Sequence, residues 1–432
     1  MSIKILAAGD LHLGRKSSGV PSNTEYKTTR YVWGKMVEYA IQENVNIVAL
    51  TGDIVDEDNK YFEAIGALQE GFRKLIDNKI HIFMIAGNHD FDVLPQIVKQ
   101  TNSAYIHLLG ENANWSTELF STQQGEKIQF IGWSFNKRHI TENPLESFSN
   151  VTLDRNFITI GLLHGDVDIN GSLYAPTSKN DFIQTVNQVQ LWILGHIHRP
   201  YEVVEQNPKA LFTGSPQALS SKEQGEHGPL LITVNSKNDI QIEHILLSPI
   251  RYEEIKIDIS DCESENEVRS AITDSIFDKS EEISIESEHI KHLIFDVKIV
   301  GEHTNRQSIE QWSSSIENLS LSTSTSAQIS VRKVETHVKM KIENLESLSQ
   351  ENSPIGRIAK TIFEIQNNME SQFLDKLIEQ WRKEEQKERR RNYFNGLVQG
   401  KRNLERNDEE IKSLIENECN RILSELILQQ NG

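Results

Sequence analysis

The chain has 432 residues, 37% of them hydrophobic and 25% charged, with a mean hydropathy of −0.48. At about 100–200 residues per domain, this is typical of a soluble protein of two to four domains. No apolar run reaches the roughly 20 residues that cross a bilayer, and the N-terminus resembles a strand rather than a secretory signal, which excludes an integral membrane protein. The formal net charge of −18 argues against non-specific nucleic-acid binding, which depends on basic surface. The two cysteines, Cys262 and Cys419, are too few for a disulfide framework or a cysteine zinc site, so we expect a reducing, cytoplasmic location.

The first 250 residues alternate short apolar runs with segments of helical periodicity. Runs at 3–8, 47–50 and 80–86 predict buried strands, and the segments between them place apolar residues such as Trp33, Met36 and Val37 at helical spacing. This alternation predicts an α/β sheet with crossover helices. Because the spacing then becomes irregular, we expect a two-layer mixed sheet, with further strands at 128–132, 157–163, 191–194, 210–213, 230–234 and 240–246.

The pattern changes after residue 250. Predicted strands at 251–259, 292–300 and 327–340, with helices at 265–277 and 307–319, indicate a small α+β domain over 251–340. Residues 341–432 form a predicted helical segment with an apolar stripe along 411–427, which either packs within its own domain or docks on a partner's coiled coil. The run 382–391 holds six basic and three acidic residues beside Trp381, Tyr393 and Phe394. It is either a solvated helix face or a surface for DNA or an ATPase.

Five short segments concentrate histidine, aspartate and asparagine, and each follows an apolar run. Because α/β sheets bind ligands beyond the carboxyl ends of their strands, we expect these side chains to meet at one rim. Positions i and i+2 of extended backbone point the same way, so the pairs 10/12 and 196/198 are each predicted to face one metal. The candidate ligands are Asp10, His12, Asp53, Asn88, His164, His196 and His198.

Imidazole, carboxylate and amide donors without thiolate suit divalent Mn, Fe, Zn or Co. Seven such ligands exceed what one ion uses with room for substrate, so the set predicts two ions about 3.5–4 Å apart. Asp53 is the natural bridge, since it is the sole candidate ligand of its segment. Such a pair binds a phosphate ester and lowers the pKa of a bridging water. His89 is predicted to stay off the metals, where it either stabilises the pentacoordinate phosphorane or protonates the leaving alkoxide.

The motif order D-x-H, G-D, G-N-H-D, H-G, G-H-x-H is similar to that of the calcineurin-like metallophosphoesterase superfamily. Residues 9–15 (GDLHLGR), 194–199 (LGHIHR) and 213–217 (TGSPQ) resemble bacterial DNA-repair nucleases of the SbcD and YhaO type, and 174–176 (YAP) and 225–230 (GEHGPL) resemble the YhaO branch. This resemblance is strong over 1–250 and architectural over 251–340. It implies a two-layer mixed-sheet metallophosphoesterase core over 1–250 with helices on both outer faces, a capping α+β domain that guides DNA over 251–340, and a helical segment over 341–432 that docks a partner.

The resemblance also implies the roles of individual residues. One ion would be held by residues 10, 12, 53 and 198 and the other by residues 53, 88, 164 and 196, with His89 as the catalytic histidine and Asp90 as its orienter. The implied activity is that of a manganese-dependent nuclease with 3′–5′ exonuclease and endonuclease action in double-strand-break repair, although Mg²⁺, Fe²⁺, Zn²⁺ or Co²⁺ also fit the ligands. The implied partners are DNA, an SMC-like coiled-coil ATPase and a second copy of the chain. Asp56 departs from archaeal and eukaryotic relatives, which carry histidine there.

Arg15, Lys16 and Arg199 adjoin the ligand loops and are candidates for contacts to substrate phosphates, with ordinary surface charge as the alternative. Two other functions stay open: a phosphatase or cyclic-nucleotide phosphodiesterase of the same superfamily, and a catalytically silent scaffold for the ATPase. Protein phosphatases of the superfamily carry G-N-H-E where this chain has Asp90, and the intact ligand set disfavours a scaffold. The acidic net charge fits a subunit whose partner supplies most of the DNA-binding surface.

Overall fold

The computed structural model describes residues 2–21, 24–59, 63–185, 187–206, 208–237, 239–313, 316, 320–322, 324, 327–342, 344–389 and 407–431. Tyr393 and Phe394, and the end of the basic run from residue 390 onward, lie outside this part of the chain. The chain divides into two compact units: one comprises Met1–Ile255, Ile276–Val297 and Glu317–Lys333, the other Lys256–Ser275, Lys298–Ile316 and Val334–Gly432. The domain boundaries at 250 and 340 stay predictions.

The elements alternate as the sequence pattern indicates. The strands are β1 (Ile3–Ala8), β2 (Ile47–Thr51), β3 (His81–Ile85), β4 (Ile106–Leu108), β5 (Ser116–Ser121), β6 (Lys127–Gly132), β7 (Ile158–His164), β8 (Leu191–Gly195), β9 (Tyr201–Val204), β10 (Lys209–Phe212), β11 (Leu230–Ser236), β12 (Asp239–His244), β13 (Ile250–Asp258), β14 (His292–His303), β15 (Ser320–Ser322) and β16 (Gln328–Met340). The helices are α1 (Thr29–Gln42), α2 (Glu63–Asp77), α3 (Leu94–Thr101), α4 (Lys179–Gln184), α5 (Glu265–Glu286), α6 (Arg306–Ser313), α7 (Leu345–Ser349), α8 (Pro354–Gln366), α9 (Gln372–Arg389) and α10 (Asp408–Asn431). None of these described helices is both long and apolar enough to cross a membrane.

Two six-stranded mixed sheets build the first unit. One has the order β12-β11-β1-β2-β3-β4, with β1 to β4 parallel and β11 and β12 antiparallel. The other has the order β5-β6-β7-β8-β10-β9, parallel except at its two edges. The predicted two-layer mixed-sheet α/β core is therefore confirmed.

Three apolar layers hold this core together. One lies between the sheets, where the rings of Phe83 and Phe130 stack with centroids 4.2 Å apart. A second lies between the first sheet and helices α1 to α3, where Trp33 is buried and donates from Nε1 to the Ala67 carbonyl. A Cβ atom at Gly71 would lie 2.5 Å or less from the Trp33 indole, so only glycine permits this packing. A third covers the outer face of the second sheet, which puts helices on both outer faces as predicted.

The region after residue 250 also follows the predicted pattern. A four-stranded sheet has the order β13-β14-β16-β15, and α5 and α6 lie close to the predicted positions, with α5 extending nine residues further, to Glu286. The helical C-terminal segment is present as α7 to α10. In α10, Ile411 and Ile415 are buried with residues of α9, and Leu423 is buried with residues of α8. These members of the apolar stripe therefore pack within their own unit; the side chain of Ile427 lies outside the described set.

Candidate metal centre

The predicted ligands lie at the carboxyl ends of five strands. Asp10 and His12 follow β1, Asp53 follows β2 and Asn88 follows β3, while His164 ends β7 and the segment 196–198 follows β8. The two sheets meet at this rim, because His164 Nδ1 donates to the Thr51 carbonyl at 2.8 Å. The predicted ligand residues thus lie at one rim, at the carboxyl ends of their strands.

The pairs 10/12 and 196/198 were expected to face one metal because they would lie on extended backbone, and that reason was wrong. Asp10 and His12 have φ angles of 53° and 41°, so both lie in the left-handed region rather than on extended backbone. Asp53 and His196 also have positive φ, at 49° and 103°. Non-glycine residues adopt this region at a cost of about 1–3 kcal/mol each, and such strain is concentrated at functional sites. Strained turns therefore bring the side chains inward.

The glycines of the motifs are explained by close backbone packing. A Cβ at Gly87 would lie 2.2 Å from Asp53 Oδ1, and one at Gly52, whose φ is 87°, would lie 2.8 Å from the Gly87 nitrogen. Larger residues at either position would push the ligand loops apart. The glycines of the G-D and G-N-H motifs are therefore needed for Asp53 to pack against the loop after β3.

Asp53 is the central carboxylate of the site. Its Oδ2 lies 3.8 Å from His12 Nε2, 3.5 Å from His164 Nε2 and 3.9 Å from His89 Nε2. Burial alone would raise the pKa of Asp53, but His164, His12 and His89 outweigh it and hold that pKa well below its usual range. A carboxylate that stays ionised between several imidazoles is suited to bridge two cations.

Three groups of candidate ligands lie around this carboxylate. Asp10, His12 and His198 form the first, Asp53, His164 and His196 form the second, and His12, Asp56 and His89 form the third; within each, one ligand atom per residue lies within 4.8 Å of the others. Asn88 Oδ1 lies 3.1 Å from His164 Nε2, which adds the amide oxygen to the second cluster. The structure brings all seven predicted ligands together in the division expected from the resemblance, while their binding of metal stays a prediction.

Each of the four ligand histidines has an oxygen at its outward nitrogen. His12 Nδ1 lies 3.2 Å from Asp56 Oδ1, His198 Nδ1 lies 3.1 Å from Glu223 Oε1, and His196 Nε2 lies 3.4 Å from Asp166 Oδ1. For His164 that oxygen is the Thr51 carbonyl. Such partners fix the tautomer and direct the other ring nitrogen to a metal.

The inward-facing atoms fit cations. His12 Nε2 and His198 Nε2 lie 3.2 Å apart, and a carboxylate oxygen lies near the Nδ1 atom of each ring. His164 Nε2 likewise faces an amide oxygen and a carboxylate oxygen. Burial would lower the pKa of His164, but Asp53 outweighs it and raises the pKa to about 9. The centre therefore attracts positive charge, which a pair of divalent ions would supply.

Asp90 does not orient His89 as the sequence analysis expected. Its carboxylate is fully buried and accepts hydrogen bonds from the backbone N–H groups of Ile54, Val55 and Gly87 at 2.6–3.2 Å. Asp90 therefore ties the β2 loop to the β3 loop. The carboxylate at His89 Nδ1 is instead Asp56, whose Oδ1 lies 3.8 Å away.

Replacing Asp90 should destabilise the fold. Asp90→Ala leaves three buried N–H groups without an acceptor, and at about 1–3 kcal/mol per unsatisfied group we expect a loss of about 3 kcal/mol or more. Urea unfolding of the metal-free protein measures it. Asp77→Ala, at the exposed end of α2, is the control and should change stability by less than about 0.5 kcal/mol. Equal midpoints for the two variants would contradict this role.

His89 stays accessible at the edge of the centre. Its side chain is 27% exposed, whereas those of His12 and Asp53 are 2–3% exposed. Burial is the largest influence on the pKa of His89 and lowers it, so the imidazole is neutral at pH 7. A neutral imidazole can donate one N–H hydrogen bond to substrate.

The candidate phosphate-binding residues are exposed. Arg15 Nε lies 3.8 Å from Asp56 Oδ1, which places this guanidinium next to the His12 side of the centre. Lys16 follows on the same loop, and Arg199 follows His198. Their contacts with substrate stay predictions.

The sequence analysis did not predict the three carboxylates that lie next to the ligand histidines, which are Asp56, Asp166 and Glu223. Asp56 and Asp166 lie within or next to the motifs, and their spacing from Asp53 and His164 was the available signal. Glu223 lies 25 residues after His198, outside any ligand motif, and accepts from the Leu219 N–H and the Ser215 hydroxyl as well as facing His198. These bonds hold Glu223 in place.

Glu223→Gln should weaken metal binding at the His198 site. Loss of such a supporting carboxylate typically lowers metal affinity by about 10–100-fold. A Mn²⁺ titration with metal analysis should therefore show one weakened site beside one site of unchanged affinity. Glu226→Gln, three residues on and paired with Arg251 at the surface, is the matched control. Two unchanged affinities in Glu223→Gln would contradict the assignment.

Part of the chain is similar to known proteins. Residues 3–200 match the family model described as "Calcineurin-like phosphoesterase". The chain is 27% identical over 286 residues to the "Uncharacterized metallophosphoesterase YhaO" of Bacillus subtilis (strain 168); the match covers 61% of this chain and 64% of that protein. The chain therefore matches less than two thirds of the length of this relative.

Solved structures with a similar fold cover about the same part of the chain. A dimetal phosphatase from Danio rerio is 12% identical with a TM-score of 0.35, covering 56% of this chain and 98% of its own. The calcineurin-like phosphoesterase YfkN from Bacillus subtilis is 14% identical with a TM-score of 0.34, covering 63% and 96%.

Proposed function

We propose that the chain is a two-metal phosphodiesterase that cleaves DNA with Mn²⁺, as an exonuclease and endonuclease in double-strand-break repair. The observation that carries this proposal is the position of Asp53 between two histidine clusters whose outward nitrogens all face oxygens. Residues 10, 12, 53 and 198 would hold one ion and residues 53, 88, 164 and 196 the other. Bound there, two divalent ions lower the pKa of a shared water and neutralise charge on the phosphate.

The protein's own groups then position and stabilise the reacting phosphate. His89 is the accessible imidazole beside the bridging carboxylate, with Nε2 3.9 Å from Asp53 Oδ2. Because its pKa is lowered, His89 is better suited to donate a hydrogen bond to a phosphate oxygen in the transition state than to transfer a proton. Asp56 Oδ1 lies 3.2 Å from His12 Nδ1 and 3.8 Å from His89 Nδ1, so its carboxylate lies next to both rings.

A direct assay distinguishes the functions. Purified protein with Mn²⁺ is incubated with 3′-labelled duplex DNA, bis-p-nitrophenyl phosphate and p-nitrophenyl phosphate. Cleavage of DNA and of the diester, abolished by chelator and restored by Mn²⁺, is the expected result. Cleavage of the monoester without DNA cleavage would identify a phosphatase, and inactivity on every substrate, with the ATPase added, would identify a scaffold.

The partners are part of the proposal. An SMC-like coiled-coil ATPase would supply DNA-binding surface that a chain of net charge −18 lacks, and the chain would form a homodimer. Because Ile411, Ile415 and Leu423 are buried within their own unit, the exposed Phe373, near the start of α9, is the better candidate contact. Co-purification with the ATPase should be weakened by Phe373→Ser and unchanged by Ile285→Ser, an exposed residue of α5. Equal recovery would exclude Phe373 as a contact.

A further inference from the structure

A second group of side chains lies beside the metal centre, next to His164 and His196. The segment after β6 contains Phe135, whose N–H donates to the Ala86 carbonyl and whose ring packs edge-on against His164 with centroids 5.7 Å apart. The residues that follow are exposed: Asn136, Lys137, Arg138 and His139. Packing of Phe135 against a ligand thus fixes where this exposed run begins.

A row of rings leads from the metal centre to this run. Tyr174 lies against His196 with ring centroids 4.8 Å apart, and His139 lies against Tyr174 at 5.6 Å. Two backbone hydrogen bonds join the segments, from Ile140 N–H to the Leu173 carbonyl and from Ala175 N–H to the Ile140 carbonyl, at 2.8 and 2.7 Å. The row of rings is therefore in place before any substrate binds.

The surroundings of the row combine positive charge with apolar surface. Lys137 and Arg138 are exposed cations, and Glu57 holds the Arg138 guanidinium through an Nη1–Oε1 distance of 2.6 Å. On the loop that carries Tyr174, Ile169 and Leu173 are 49% and 46% exposed. We call residues 137–139, 169, 173 and 174 the basic–aromatic rim.

We propose that the basic–aromatic rim binds the nucleotide adjacent to the scissile phosphate. A nucleotide chain presents anionic phosphates next to flat apolar bases. Exposed cations beside aromatic and apolar side chains are complementary to this arrangement. Lys137 and His139 would contact the flanking phosphate, and the sugar and base would rest on Tyr174 and Leu173. This inference rests on the proposed phosphodiesterase function, and it makes the substrate a polynucleotide rather than a small ester.

The test compares a long and a short substrate in the Mn²⁺-loaded protein. For the double variant Lys137→Ala/His139→Ala, we expect kcat/KM on a fluorescent oligothymidylate to fall about tenfold through KM, the loss of one or two charged hydrogen bonds. The slope of log(kcat/KM) against log(salt) should become shallower by about 0.7 per lost phosphate contact. Turnover of bis-p-nitrophenyl phosphate should not change, because that diester has no second phosphate for Lys137 and His139 to contact.

Two further variants complete the test. Leu173→Ser should raise KM for the oligonucleotide without changing the salt slope, because it removes apolar rather than charged contact. Arg73→Ala is the matched control: Arg73 pairs with Asp77 on α2, near the strand ends opposite the metal centre, and should change neither quantity.

The outcomes separate this inference from the proposed function. If the wild type cleaves the oligonucleotide and the double variant does so with unchanged KM and salt slope, the rim proposal is overturned and the proposed function stands. Equal losses on both substrates would place the effect at the metal centre and overturn the rim as a binding surface. A wild type that cleaves only small esters would overturn the proposed function and the rim proposal with it.

Discussion

Asp53→Asn is expected to remove most of the activity together with the metal pair. Asparagine keeps the size of the side chain but loses the negative charge that would be shared by both ions. We expect kcat on bis-p-nitrophenyl phosphate to fall by about 10³-fold or more, since bridging metal ions supply several kcal/mol of transition-state stabilisation. Metal analysis after gel filtration should show at most one ion per chain where the wild type binds two.

The same substitution has a readout that does not need metal. In the metal-free protein, burial lowers the pKa of His164 while Asp53 raises it to about 9. Without the Asp53 charge the pKa of His164 should fall, because Asp53 is the largest of the influences that raise it, ahead of Asp10 and the Thr51 carbonyl. Nuclear magnetic resonance titration of the imidazole measures this shift. Asp58→Asn, on the exposed surface five residues later, is the control; two tightly bound ions in Asp53→Asn would show that another residue bridges them.

The strand pattern and the ligand residues could be predicted because both depend on local sequence. A buried strand needs a run of apolar residues, and a ligand at its end must be one of few residue types, so the segments after β1, β2, β3, β7 and β8 could be recognised without the fold. The short edge strands β4, β5, β9 and β15 escaped prediction. β5 is exposed at five of its six residues, so it lacks the apolar pattern of a core strand.

The residues that support the ligands could not be predicted in this way. Glu223 acts through a turn that returns to His198 from 25 residues away, and a glutamate in an exposed-looking loop carries no local signal. The resemblance implied that Asp90 orients His89, whereas the Asp90 carboxylate faces the backbone of another loop. The inward direction of Asp10 and His12 depends on positive φ angles, which packing of neighbouring loops imposes.

His89→Ala should abolish turnover while leaving the metal content unchanged. His89 is not one of the seven predicted ligands, although its ring lies close to His12 and Asp56, and its Nε2 lies 3.9 Å from Oδ2 of the proposed bridging carboxylate Asp53. Removing one preorganised donor to a developing negative charge typically lowers kcat by about 10²–10³-fold. Metal analysis and kcat on bis-p-nitrophenyl phosphate, measured on the same preparation, test both parts. Loss of an ion from His89→Ala would make His89 a ligand instead.

His89→Gln distinguishes the two ways in which His89 could act. A glutamine amide can donate a hydrogen bond close to the position of the imidazole Nε2 but cannot transfer a proton at neutral pH. Because burial lowers the pKa of His89, we expect a hydrogen-bonding role, in which glutamine recovers about tenfold of the activity lost in alanine. If glutamine and alanine are equally inactive, and the wild-type rate falls as pH rises through the pKa of one acidic group, His89 protonates the leaving alkoxide. The comparison needs only the small diester, so its result does not depend on how DNA reaches the site.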